Sequence, residues 1–152
     1  MSGEDPFRLA RFVAAQVGAH DDALAELRAG RKRSHWMWFV FPQAQGLGHS
    51  PTARFYAIGS INEAQAYLVH PVLAPRLLAA TEAAAMAPAV SLNALFGSPD
   101  DMKFISSMTL FAMAAEDPSS FQAALDRWNA GRRDERTLQL IAAELRGGTS
   151  ST

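Results

Sequence analysis

Ser98-Pro-Asp-Asp-Met-Lys-Phe-Ile-Ser-Ser-Met-Thr-Leu-Phe-Ala-Met-Ala-Ala115 is the stretch that decides the fold. It opens with a capping residue, a proline suited to the first helical position and two acids facing the helix dipole. Met102, Phe104, Ile105, Met108, Phe111 and Met113 then leave almost no polar face. The pattern predicts a helix from Pro99 to about Ala115 with little exposed surface, because a helix apolar all round must be buried.

Similar punctuation recurs in both directions. Asp5-Pro6 predicts a capped first helix carrying Leu9, Phe12, Val13 and Val17, ended by Gly18. A second runs from about Asp22 to Ala29 and stops at Gly30. Ser50-Pro51 starts a helix through Tyr56, and Ser60-Ile-Asn-Glu63 is a capping box for one ending at His70-Pro71. An alanine- and leucine-rich helix fills Pro71 to Met86, and a short one spans Ser91 to Phe96, closed by Gly97. Asp117-Pro118 opens a helix through Trp128, and Asp134 caps a last one closed by Gly147-Gly148. Alternating strand patterns and internal repeats are absent. The reading is all-α: a single compact multihelical domain over residues 1–152, with an ordered core at about 5–146 and a flexible tail at 147–152.

Composition narrows the function. The chain is 49% hydrophobic and 19% charged, which is globular, and its net charge of −1 gives no general attraction to duplex nucleic acid. With no cysteine, disulfides, thiolate catalysis and Cys-ligated metals are excluded. No apolar run is long enough to span a membrane and no signal-peptide layout begins the chain, so a cytoplasmic location is expected. His20, His35, His49 and His70 lack metal-ligand spacing, so no metal or cofactor is implied.

The second informative segment is Ser34-His-Trp-Met-Trp-Phe-Val-Phe-Pro-Gln43, continuing through Gly46-Leu47-Gly48-His49-Ser50. Trp36 to Phe41 fits a short helix or a buried strand, and with both faces apolar it is expected to cross the middle of the domain. Core packing explains its rings. The polar frame of Ser34, His35, Gln43, Gly46, Gly48, His49 and Ser50 has two readings: it satisfies the ends of a buried element, or it lines a ligand site with backbone N–H groups at the glycines.

Lys103, Ser106, Ser107 and Thr109 pose the same choice. A polar strip in a cleft could meet an anion or carbonyl group. Otherwise the hydroxyls bond back to the preceding helical turn and Lys103 reaches solvent or an acid. Arg28, Arg31, Lys32 and Arg33 form a basic cluster suited to a solvated loop or to receiving a phosphate or carboxylate.

Several of these pieces together resemble the domain of unknown function called DUF1810. They are Asp5-Pro-Phe, Arg11-Phe, the run from Gly30 through Gln43, Gly46-Leu-Gly-x-Ser, Tyr56-Ala-Ile, Glu63-Ala-x-Ala-Tyr-Leu-x-His-Pro-Val-Leu and Lys103-Phe-x-Ser-Ser-Met-Thr-Leu-Phe. The resemblance spans roughly Asp5 to Trp128 and implies an all-α, superhelix-like domain without a settled activity. Pro75 stands where the family pattern leads one to expect glycine. The Glu63 and Lys103 pieces are also similar to the NADAR group of ADP-ribose-linked glycosidases.

The expectation is a small anionic or nucleotide-like ligand bound between the Ser34–Gln43 and Lys103–Thr109 segments. The ligand-binding residues are Ser34, His35, Trp36, Gln43, Gly46, Gly48, Ser50, Lys103 and Ser107, with His35 the first candidate for acid–base work. The alternatives are a non-enzymatic helical scaffold that binds a partner protein, and an ADP-ribose-linked glycosidase-like enzyme. An enclosed polar pocket around His35, Trp36, Gln43 and Lys103 speaks for the ligand; an exposed apolar groove elsewhere speaks for the scaffold.

Overall fold

Ten helices, and no strand, make up the described residues of the computed structural model, which are residues 4–150. They are α1 Ala10–Ala15, α2 Ala19–Arg28, α3 Met37–Val40, α4 Pro51–Phe55, α5 Ile61–Val69, α6 Leu73–Ala85, α7 Leu92–Phe96, α8 Asp100–Ala114, α9 Ser119–Asn129 and α10 Glu135–Ser150. The all-α reading holds. One isolated parallel bridge, Ala44 to Ile58, is the closest approach to sheet pairing.

The axis is α8, with ten of its fifteen residues buried. It packs against α5, α7, α9 and α10, while α6 joins α2, α5 and α9. Two aromatic groups meet it at different levels. Phe104 lies 5.0 Å from Phe41 and 4.9 Å from Phe96, and Trp36 adjoins both. Two turns on, Phe111 lies 5.2 Å from Tyr67 and 5.9 Å from Phe121, with Phe12 behind Tyr67. Each ring removes a large apolar area from water, and the helix that touches both groups joins them into one core.

Local chemistry accounts for the ends of the elements, with differences from expectation. Ser50, Ser60 and Ser91 cap α4, α5 and α7 by accepting the N–H of Ala53, Glu63 and Ala94. The Ser60 capping box is half made: Glu63 accepts the Gly59 N–H at 2.9 Å and pairs with Arg11 instead of returning to Ser60. Asp5 accepts the N–H groups of Leu9 and Ala10, so α1 starts four residues after Pro6, beyond Arg8 at φ 53°. α8 begins at Asp100; Pro99 takes the cap position, and no Ser98 side chain caps it. His70 Nδ1 accepts the N–H groups of Val72 and Leu73, so the residue that ends α5 also starts α6.

α10 runs through Gly147 and Gly148 to Ser150 instead of stopping at the glycines. The last two residues of the expected tail lie outside the described residues.

The aromatic segment is a one-turn helix. Met37, Val40 and Phe41 fall on the face that is buried, as does Trp36 just before them, while Trp38 and Phe39 are half-buried. The segment therefore borders the core rather than crossing it with both faces covered. Spacing i, i+3, i+4 selects one side of a helix even in a single turn.

Candidate functional site

Glu26, at the third turn of α2, organises the start of the aromatic segment. Its Oε1 accepts the N–H of Arg33 at 2.7 Å, the N–H of Ser34 at 3.0 Å and the indole N–H of Trp36 at 2.9 Å. Ser34 Oγ donates to Oε2. Burial raises the carboxyl's pKa, but these four donors outweigh it and hold it down at about 2. Ser34 and Trp36 are thus spent on a structural carboxylate. His35 is exposed, and its side chain makes no hydrogen bond or ion pair among the described residues.

The remaining frame is divided. Ser50 caps α4. Gly46, at φ 106°, faces α10, where an added Cβ would lie 3.3 Å from Leu140. Gly48 turns the other way and leaves only 2.6 Å between such a Cβ and that of Ala53. In α8, Ser106 and Thr109 donate to the carbonyls of Met102 and Ile105, which is helical back-bonding. Ser107 is fully buried with its hydroxyl unpartnered. The polar strip does not act as a unit.

Lys103 does meet the aromatic segment. Its ammonium lies 5.5 Å from the centre of the Trp38 ring, within cation–π range. Lys103 and Trp38 line one cleft with Gln43, Gly48, Ala53 and Tyr56. The cleft holds about 10 Å³, room for a single water-sized group.

Behind it, Asp100 bridges two lysines: Lys32 at 3.0 Å and Lys103 at 3.6 Å. Lys32 also donates to the Ser34 carbonyl at 2.6 Å and lies 5.1 Å from the Trp36 ring. One member of the basic cluster is therefore turned inward, while Arg28, Arg31 and Arg33 stay exposed.

Of the expected site residues, Gln43, Gly48 and Lys103 come together, and Ser34, His35, Trp36, Gly46, Ser50 and Ser107 do not line the cleft with them. Trp38, Asp100 and Tyr56 were missed. Once Met37, Val40 and Phe41 are seen to share the buried face, Trp38 falls on the other.

Trp38 also differs chemically from the other two tryptophans. Trp36 gives its indole N–H to Glu26, and Trp128 gives its own to the Ala84 carbonyl at 2.9 Å. Trp38 makes no such bond among the described residues, and neither does the side-chain amide of Gln43. No group of three or more His, Asp or Glu among the described residues could hold a metal ion. No helix among them is long and apolar enough to cross a membrane.

Fold and site together define a small all-α domain built around one buried helix, with a small cleft beside Trp38, Gln43 and Lys103. The chain belongs to the DUF1810 family, described as a protein of unknown function, whose model matches residues 6–141. It is similar to the conserved hypothetical protein Rv1873 from Mycobacterium tuberculosis, known from a crystal structure: 51% identity over 91% of this chain and 99% of that one, with a TM-score of 0.88. No curated protein matches it.

Proposed function

We propose that the chain is a cytoplasmic small-molecule-binding protein whose ligand carries an anionic or carbonyl oxygen next to a planar ring, as a nucleotide does. One observation carries this reading. Three donors around one cleft have unspent capacity: the Trp38 indole N–H, the Gln43 amide, and the Lys103 ammonium, whose one carboxylate partner is 3.6 Å away. The Lys103–Trp38 cation–π contact accounts for bringing those two side chains together but not for the indole N–H and amide left without a protein partner among the described residues, and a ligand oxygen in the notch would satisfy all three. At about 10 Å³ the notch takes that oxygen alone, and the rest of the ligand lies outside, over the half-buried Trp38 ring.

Isothermal titration with AMP, ADP-ribose, NAD and inorganic phosphate tests this, with Trp38→Phe, Gln43→Leu and Lys103→Ala beside the wild type. The expected result is binding by at least one nucleotide that each substitution weakens by roughly tenfold, the scale of one charge-assisted hydrogen bond. Absence of binding, or binding indifferent to all three substitutions, removes the proposal.

A second reading, the protein-binding scaffold, is favoured by a separate observation. Met86 is 75% and Val90 is 97% exposed on the short segment between α6 and α7.

A further inference from the structure

Beyond the ligand cleft, the segment joining α6 to α7 is built to stay in place. Arg127 donates to the Ala85 carbonyl at 2.7 Å and the Ala89 carbonyl at 3.3 Å, while Trp128 holds the Ala84 carbonyl. Arg127 itself stacks 3.8 Å above the Trp128 ring. On the other side, Gly30 comes so close that an added Cβ would lie 2.7 Å from the Pro88 carbonyl oxygen. A segment pinned from both sides presents Met86, Pro88 and Val90 outward with little freedom left to lose.

Two depressions meet at Pro88. One, of about 590 Å³, is lined by Arg31, Lys32, Val90 and Asn93 among others. The second, of about 240 Å³, is lined by Arg28, Glu82 and Met86. Lys32 is neutralised by Asp100. Arg28 and Arg31 are exposed and have no ion-pair partner among the described residues. The face thus combines rigid apolar anchors with two free guanidinium groups, against one carboxylate, on a chain whose net charge is −1. Rigidity reduces the ordering cost of docking, and uncompensated charge selects the sign of the partner.

We infer that this face, from Arg28 and Arg31 across Met86 and Val90, docks a short acidic segment of a partner protein carrying apolar anchor residues. The inference rests on the scaffold reading and specifies its partner. Concavity favours a peptide over a lipid surface, because a flat bilayer cannot follow two depressions around a central ridge.

The test is fluorescence anisotropy with a labelled peptide of repeated Glu-Glu-Leu, its Lys-Lys-Leu counterpart, and phosphatidylserine-containing vesicles. The expected result is saturable binding of the acidic peptide, weakened about tenfold when salt rises from about 50 to about 500 mM. Arg28→Glu with Arg31→Glu, and separately Val90→Ser, should each weaken binding by roughly tenfold at unchanged melting temperature, since these side chains are exposed. Preference for the basic peptide with the same Val90 dependence overturns the acidic partner and keeps the scaffold. Binding of neither peptide overturns both. Vesicle binding without peptide binding assigns the face to membranes and equally overturns the inference.

Discussion

Arg11 on α1 and Glu63 on α5 form an ion pair of 2.9 Å in which both side chains are more than nine-tenths buried. The guanidinium also donates to the carbonyls of Phe7, Arg8, Phe55 and Ala57, and it lies 4.4 Å from the Phe12 ring. One side chain thus ties the N-terminal turn, the end of α4 and the start of α5 to the core.

Because the pair is buried, losing one member strands the other. Glu63→Gln and Arg11→Ala are each expected to lower unfolding free energy by about 3–5 kcal/mol in urea titrations. Arg11→Lys recovers little, because a lysine ammonium cannot supply this fork of donors. Full recovery by lysine would show that charge alone matters here.

Acid sensitivity should centre on Glu26. Its pKa falls from an ordinary 4.5 to about 2 on folding. A carboxyl depressed in the folded state contributes stability fully present above its unfolded pKa and lost as pH falls through its folded one. The window is therefore about pH 4.5 to 2. Since the group is only partly buried, the contribution is about 2–3 kcal/mol after allowing for solvent screening. Glu26→Gln should remove that amount at neutral pH and flatten the acid limb; an unchanged acid limb counts against this assignment.

The tryptophans separate structure from binding. Trp36→Phe deprives Glu26 of one donor and is expected to cost about 1–2 kcal/mol. Trp38→Phe breaks no bond within the described residues and is expected to cost under about 0.5 kcal/mol. Chemical denaturation of the two single variants measures both; equal losses would contradict the division.

Ala130, just past α9, sits at φ 54° and ψ 35°, where a side chain is strained. Ala130→Gly should stabilise the protein by about 0.5–1 kcal/mol, less than the full left-handed penalty because glycine also gains freedom in the unfolded chain. A lower melting temperature for this variant would refute that balance.

How far the sequence could be read followed the range of the interactions. Serine caps at 50, 60 and 91 depend on residues three positions away, so spacing alone revealed them. The fate of Glu63 did not, because Arg11 lies 52 residues earlier in the chain and competes for the same carboxylate. Glu26 is one polar residue among several on a short helix, and nothing nearby marks it as the acceptor for residues 33, 34 and 36. The meeting of Lys103 with Gln43 is an expectation drawn from polar residues standing at the end of one apolar run and inside another. Trp38 was overlooked because six consecutive apolar residues hide which face a single helical turn will bury.

The four donors converging on Glu26 carry one more implication. A carboxylate there does for residues 33–36 what a neighbouring strand would do, and it fixes their phase relative to α2. Most surface connections absorb an added residue by bulging outward. This one cannot: a glycine inserted between residues 33 and 36 would move one set of donors past the two oxygens that receive them. Its length is as tightly specified as that of any helix in the molecule.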